Sequence, residues 1–409
     1  MTFECKYFHP FYRLNKALIW LCLTCLSLPL LSQDTAYEKI DREWHLLNTE
    51  FFYETEHDFV DHPYFQSLKA RLAGDTNAEI EELEKAIAFT NDDSLRQVLT
   101  EKMYSRLLDT GKIREAKDAI LKYDLNADTT DLVFKRPDFP ETTFSMNQDV
   151  VALPFEQFYF KATVNGTDTV TVFFDTGAPG VAVSQELVER YGWETDTAYS
   201  GTSVLPALGM RFKNYPVLIP ELKIGGLIVK NLFAKYSLLT SKEKEILASK
   251  GLNKHDILIG LNVFKKLVDG VAFDYPNREI RFFKHLEDDT KRPNFCFVDE
   301  TPAISYQWNG IRLNAQLDTG SPRHVVPKSQ LIEADADFNR EASYGQFTYG
   351  IYNARFDQIL NLKNIILEAA DYGFPVNPDF EINTLFGSFK DHILFFDLRN
   401  RRASLQTPK

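Results

Sequence analysis

Two tripeptides in this chain can do chemistry together. Asp175-Thr176-Gly177 and Asp318-Thr319-Gly320 stand 143 residues apart, in "FFDTGAPG" and "QLDTGSPR". Each follows an apolar residue at the end of a β-like run. Each precedes a small residue, Ala178 or Ser321, and then a proline, Pro179 or Pro322. One Asp-Thr-Gly is an ordinary turn, in which Asp accepts backbone hydrogen bonds and Gly supplies positive φ. Two aspartates brought within about 3 Å of each other behave differently, because they cannot both ionise cheaply and so share one proton. The ionised member can take a proton from water while the protonated member donates to a carbonyl oxygen. Such a pair needs no metal and no covalent intermediate. Which Asp is acid and which is base stays open, since the two titrate as one unit.

The surrounding sequence repeats in a way that could bring the two motifs together. "VNGTDTVTVFFDTGAPGVAV" and "WNGIRLNAQLDTGSPRHVV" share a plan. Each opens on Asn-Gly (Asn165-Gly166, Asn309-Gly310), a strong two-residue hairpin signal. In the second copy Ile311, Leu313, Ala315 and Leu317 alternate with Arg312, Asn314 and Gln316, which predicts one buried and one exposed face. Downstream, "ILIGLNVFKKL" (257–267) and "NTLFGSFKDHI" (383–393) are apolar runs broken by Gly260 and Gly387. "FDYPNREIRF" (273–282) and "FDLRNRRASL" (396–405) then align without a gap, each reading as a hairpin. The chain therefore carries two diverged copies of one β unit, at 151–285 and 296–409, joined by a charged hinge at 286–295.

On these motifs the sequence resembles a bilobal aspartic peptidase of the pepsin-like and retropepsin-like kind. The resemblance spans about 260 residues and rests on both Asp-Thr-Gly motifs together with the Ile-Leu-Ile-Gly and Leu-Phe-Gly segments. It implies a mainly-β two-lobed fold with Asp175 and Asp318 as the catalytic pair. Thr176 and Thr319 would bond across the seam to each other's loop. Gly177 and Gly320 would let backbone approach the carboxylates. Both copies lie in one chain, so no dimer is needed to complete the site. Ala178 and Ser321 break the symmetry, since only Ser321 offers a hydroxyl to its carboxylate. That asymmetry predicts a pH optimum above that of a digestive pepsin, roughly 4.5–6.5. The substrate implied is an extended polypeptide with apolar residues at the cut bond. "YSGTSVLPALGM" (199–210) and "SYGQFTYGIY" (343–352) are candidate covers for the cleft, and either reads equally as a plain hairpin.

Ahead of the β units the chain is of another kind. Lys6, Arg13 and Lys16 precede the apolar run "ALIWLCLTCLSLPLLSQ", which reads as a signal peptide over 1–33, with an uncleaved anchor as the alternative. Residues 34–130 read as an all-α domain. "NAEIEELEKAIAF" places Ile80, Leu83 and Ile87 on one face, and "REAKDAILKY" does the same with Ala116, Ile120 and Tyr123. Gly74 and Gly111 are 37 residues apart by position, close to a tetratricopeptide-like spacing, though a small bundle fits as well. Residues 131–150 read as a linker or an extended lead-in. The fold class expected is thus multidomain, a two-lobed acid-protease-type fold behind a helical domain.

Composition narrows the function further. The net charge of −12 argues against a nucleic-acid partner. Of four cysteines, only Cys296 lies beyond the leader, so neither a disulfide nor a cysteine metal site is expected. An exported chain without disulfides fits a periplasm, cell surface or secreted setting. His324, six residues after Asp318 in the sequence, either tunes the site or serves packing. No cofactor is called for. The expectation is an exported aspartic endopeptidase acting on polypeptides, with the helical domain as a candidate surface for a protein partner. The alternative is a non-catalytic binding module that retains the protease shape.

Overall fold

The structure is a computed structural model. It describes residues 31–54, 58–109, 115, 118–119, 122–123, 140, 142–156, 158–195, 201–205, 210–249, 254–298, 300–321, 324–344, 347–371, 383–384, 389 and 391–408. The leader up to residue 30, Pro322, the Leu-Phe-Gly segment at 385–387 and most of the proposed second helical repeat lie outside these. The chain divides into two compact units, Met1–Arg42 and Glu43–Lys409.

Helices α1 (Leu31–His45), α2 (Thr49–Tyr53), α3 (Pro63–Ala73), α4 (Thr76–Phe89) and α5 (Asp93–Asp109) come first. Pro63 sits at the first position of α3, where its missing N–H costs nothing, and Gly74 ends that helix in the left-handed region. Asp75 caps α4 by accepting from the Ala78 N–H at 3.0 Å. Ile80, Leu83 and Ile87 face inward, as the helical period requires.

The β region contains two sheets of matching topology. The first holds β1 (Thr143–Met146), β3 (Tyr159–Val164), β4 (Asp168–Phe174), β5 (Val181–Val183), β6 (Gly201–Leu205), β7 (Met210–Ile224), β8 (Leu227–Ser237) and β9 (Ile257–Ile259). The second holds β12 (Phe295–Val298), β13 (Thr301–Trp308), β14 (Ile311–Leu317), β15 (His324–Val325), β16 (Asp337–Tyr344), β17 (Phe347–Ile359), β18 (Leu362–Ala370) and β19 (Asn383–Thr384). Their orders correspond: β3-β4-β9-β5-β8 in one, with β7 and β6 beyond, and β13-β14-β19-β15-β18 in the other, with β17 and β16 beyond. In each, the strand before Asp-Thr-Gly runs parallel to a short strand from far downstream, β4 with β9 and β14 with β19. A third sheet joins the halves. It contains β2 (Val150–Pro154), β10 (Gly270–Asp274), β11 (Glu279–Phe283), β20 (Ile393–Asp397) and β21 (Arg402–Gln406), with β10 and β20 antiparallel at its centre.

Local turn chemistry accounts for much of this. Asn165-Gly166 (φ 50° and 78°) and Asn309-Gly310 (φ 50° and 73°) both adopt the two positive φ values of a tight hairpin. The hairpins β10–β11 and β20–β21 are built alike. Asp274 accepts from the Asn277 N–H and side-chain amide at 3.1 and 3.0 Å, and Asp397 from those of Asn400, both at 2.8 Å.

Two readings of single positions need correction. Ile311 is not on a buried face; it is exposed, because it abuts the Asn309-Gly310 turn beyond the reach of the core. Asn314 is not solvent-facing; it is buried, and its amide donates to the His45 carbonyl. In addition, the stretch read as a linker at 131–150 contains β1, which pairs with Leu227–Lys230 and buries Met146.

Candidate active site

Asp175 and Asp318 are each held by the buried residue before them. Phe174 is wholly buried and lies near the rings of Phe160, Phe264, Phe273 and Phe282. The Asp175 N–H donates to the Ile259 carbonyl at 3.0 Å, continuing the β4–β9 pairing. Leu317, likewise wholly buried, plays the part of Phe174 in the second copy. With these anchors fixed, each carboxyl stands at the end of its strand.

The two loops interlock through their threonines. Thr319 Oγ1 accepts from the Thr176 N–H at 2.9 Å and donates to the Phe174 carbonyl at 2.8 Å. Thr176 Oγ1 accepts from the Thr319 N–H at 3.0 Å and donates to the Leu317 carbonyl at 2.7 Å. Both threonines are buried, so these four bonds replace water that cannot reach them. The glycines then set how near the carboxyls come. A Cβ on Gly177 would lie 2.5 Å from Asp318 Cγ, and one on Gly320 would lie 2.7 Å from Asp175 Cγ. Only a residue without a side chain fits at either place.

Each carboxyl lies against the glycine of the opposite loop, close enough for the two to act on one another's ionisation. Asp175 Oδ1 accepts from the Gly177 N–H at 3.0 Å. Asp318 Oδ1 accepts from two amides, Gly320 at 2.7 Å and Ser321 at 3.2 Å. Burial pushes both carboxyls above the usual carboxylate range. Asp175 rises well above it, because the Asp318 charge adds to the burial, whereas the bonds reaching Asp318 pull the other way. The two carboxyls are thus raised together and titrate as one coupled pair.

The bond from Ser321 to Asp318 Oδ1 comes from its backbone N–H, which a residue without a hydroxyl could also supply. In the first copy the Ala178 N–H goes to the Asp175 backbone carbonyl at 3.0 Å. The asymmetry between the loops is thus one of backbone geometry. Ala178 and Ser321 are themselves buried.

Gly260 has a role that the sequence only hinted at. Its N–H donates to the Gly180 carbonyl at 2.7 Å, and a Cβ there would run into the Ala178 carbonyl. The break in the apolar run "ILIG" was the visible signal. His324 lies outside the hydrogen-bonded group: it is fully buried near Phe356 and Phe389, and neither ring nitrogen has a partner among the described residues. Of the candidate covers for the cleft, 201–205 forms β6, paired with β7, while 199–200 and 206–209 lie outside the described residues. Positions 343–352 form the end of the β16–β17 hairpin, with 345–346 outside them. Among the described residues no three His, Cys, Asp or Glu side chains converge on a metal site.

A family model described as aspartyl protease matches residues 160–263, which span β3 to β9 and include Asp175. No curated protein matches the chain. Among solved structures, the chain is similar to a retropepsin-like aspartic protease from Rickettsia conorii, at 17% identity and a TM-score of 0.22, over 35% of this chain and 91% of that one. It is also similar to basic 7S globulin from soybean, at 13% identity and 0.37, over 65% of this chain and 96% of that one. A third is the aspartic proteinase from Irpex lacteus, at 10% identity and 0.38, over 64% and 98%. The family match and the paired β units together support protease function in general terms, and the chain has an aspartic-protease-like fold behind an N-terminal helical region.

Proposed function

We propose that the chain is an exported aspartic endopeptidase in which Asp175 and Asp318 activate one water between them. The carrying observation is the pair of carboxyls drawn together by reciprocal threonine bonds. The ionised member of the pair takes a proton from the water, whose oxygen bonds to the carbonyl carbon of the scissile amide, while the protonated member gives its proton to the carbonyl oxygen. As the tetrahedral diol collapses and the C–N bond breaks, the proton taken from water passes to the leaving amine and a diol hydroxyl returns one to the other carboxylate, so the pair ends with one shared proton. Thr176, Gly177, Ala178, Thr319, Gly320 and Ser321 hold the carboxyls in place. No cofactor takes part, and the substrate is a polypeptide bound extended between the lobes.

The test is cleavage of a mixed peptide library at several pH values by the protein and by its Asp175→Asn and Asp318→Asn variants. Both variants should lose turnover by at least about 10³-fold. A variant that cuts as fast as the parent removes the dyad. No cleavage by the parent at any pH turns the reading toward a peptide-binding module. The rate should peak between about pH 4.5 and 6.5. Burial raises both carboxyls, so the acidic limb, where the pair gains a second proton, and the basic limb, where it loses its last, both move upward. A maximum near pH 2 contradicts the raised pair.

A further inference from the structure

Among the described residues, the helical region meets the second β unit through arginines that are largely buried. Arg71 of α3 donates from Nη2 to the Phe297 carbonyl on β12 at 3.1 Å. Arg401, in the turn between β20 and β21, lies over the Phe297 ring at 5.2 Å. It also lies against Gly74, where a Cβ would be 2.6 Å from the Arg401 Nε. Arg401 Nε and Nη1 are buried with no hydrogen-bond partner among the described residues, although the residue as a whole keeps some exposure. The nearby negative charge is Glu79 of α4, which is buried and lies 3.9 Å from Arg71 and 3.6 Å from Arg106.

A second contact lies along β14. Asn314 donates to the His45 carbonyl, and Arg312 pairs with Glu50 of α2 at 3.2 Å. β12 and β14 flank β13 in one ladder, and β14 ends at Asp318. The helices thus grip an outer strand and the strand that delivers a carboxyl of the dyad. Glu79 keeps Arg71 and Arg106 as ion partners within the helices, whereas the Arg71 bond to the Phe297 carbonyl and the seat of Arg401 against Gly74 exist only in the joined state. The bare Cα at Gly74 permits one close geometry and no bulkier one.

We infer that residues 44–107 are a permanent brace of the second lobe, seated by Arg71, Glu79 and Arg401 and retained in the working protein, not a segment shed on maturation. That the protein works as a peptidase rests on the reading above; the seating does not.

The test keeps the full chain and inserts the site of an unrelated sequence-specific protease between Asn126 and Pro137. After nicking, the two parts should elute as one particle at about 1 μM. The nicked protein should cut test peptides within about twofold of the intact chain. Nicked Arg71→Ala/Arg401→Ala protein should come apart. If that double variant gives no folded chain, Glu79→Gln with the same nick takes its place, and its parts should separate at a concentration at least about tenfold higher than the parent's. Separation of the parent's parts overturns the inference, and so does a nicked variant that stays as tightly joined as the parent. An intact chain that cuts no peptide removes the peptidase reading and leaves the elution result standing.

Discussion

Gly177 and Gly320 decide how near the two carboxyls come. Each occupies a place where any Cβ would overlap the opposite Asp, so Gly177→Ala or Gly320→Ala must push the loops apart while leaving both aspartates in the chain. The expected result is a loss of kcat of at least about 100-fold, since a displacement near 1 Å at reacting groups has that size of effect. Circular dichroism should be unchanged. Full activity in either variant means the loops do not sit as close as described. The threonines act on stability as well. Thr319→Val keeps the shape but removes a hydroxyl that serves the Thr176 N–H and the Phe174 carbonyl. Two buried backbone groups then lose their partner, at about 1–3 kcal/mol each. Urea unfolding should show a loss of roughly 2–5 kcal/mol, and Thr176→Val a similar one, because its bonds are the mirror image. A loss below 0.5 kcal/mol, the size of an ordinary surface change, would falsify the interlock.

At the scale of elements, the duplicated hairpins test how far likeness of sequence carries. Asp274 and Asp397 anchor the same turn through the same two Asn bonds. Asp274 also takes an ion pair from Arg281 at 2.6 Å and is wholly buried, whereas Asp397 keeps 8% exposure. Asp397→Ala should cost about 1–2 kcal/mol for two hydrogen bonds, and Asp274→Ala more, because it also removes the Arg281 pair from a wholly buried carboxylate. Equal losses by chemical denaturation would show that the Arg281 pair adds nothing. What the sequence made legible here was local. Asn-Gly needs two positive φ values, Phe-Asp followed by Asn makes a turn that closes on itself, and an alternating strand must end where its buried face ends. What it hid depends on partners far along the chain. The exposure of Ile311 is a matter of where the core stops. Asn314 is buried because His45, 269 residues earlier, supplies a carbonyl. β1 has little pattern of its own and exists because β8 offers it an edge. The fold class and the paired motifs were readable; the donor at Ser321 was not, since every residue but proline carries a backbone N–H.

For the whole molecule, two buried groups respond to acid in opposite senses. The dyad carboxyls titrate in the folded protein above the ordinary value of 3.8. As pH rises past that value the unfolded chain gives up protons that the folded one keeps, so this contribution is complete in acid and fades as pH climbs through the folded values. His324 does the reverse. Burial near Phe356 and Phe389, with no partner for either nitrogen, lowers it from 6.5 to about 3. Below pH 6.5 the unfolded chain takes up a proton that the folded chain refuses, so stability is complete above that pH and drains away as pH falls toward 3. Between pH 7 and 4.5 this one imidazole should remove about 2–3 kcal/mol. The ring belongs to β15, which is hydrogen-bonded to β18 and β19, and β19 pairs with the end of β14 beside Asp318. A fall in pH toward 3 thus strains the lobe that carries Asp318. His324→Leu removes the titration while filling similar space. Urea midpoints of the two proteins should lie furthest apart at pH 4.5, and the variant's stability should fall less steeply with acid by about that amount. Its rate profile should keep the same acidic limb, because that limb belongs to the dyad. Parallel stability curves over this range would mean that the imidazole is charged or hydrated in the folded protein, and the acid limit would then have to come from another group.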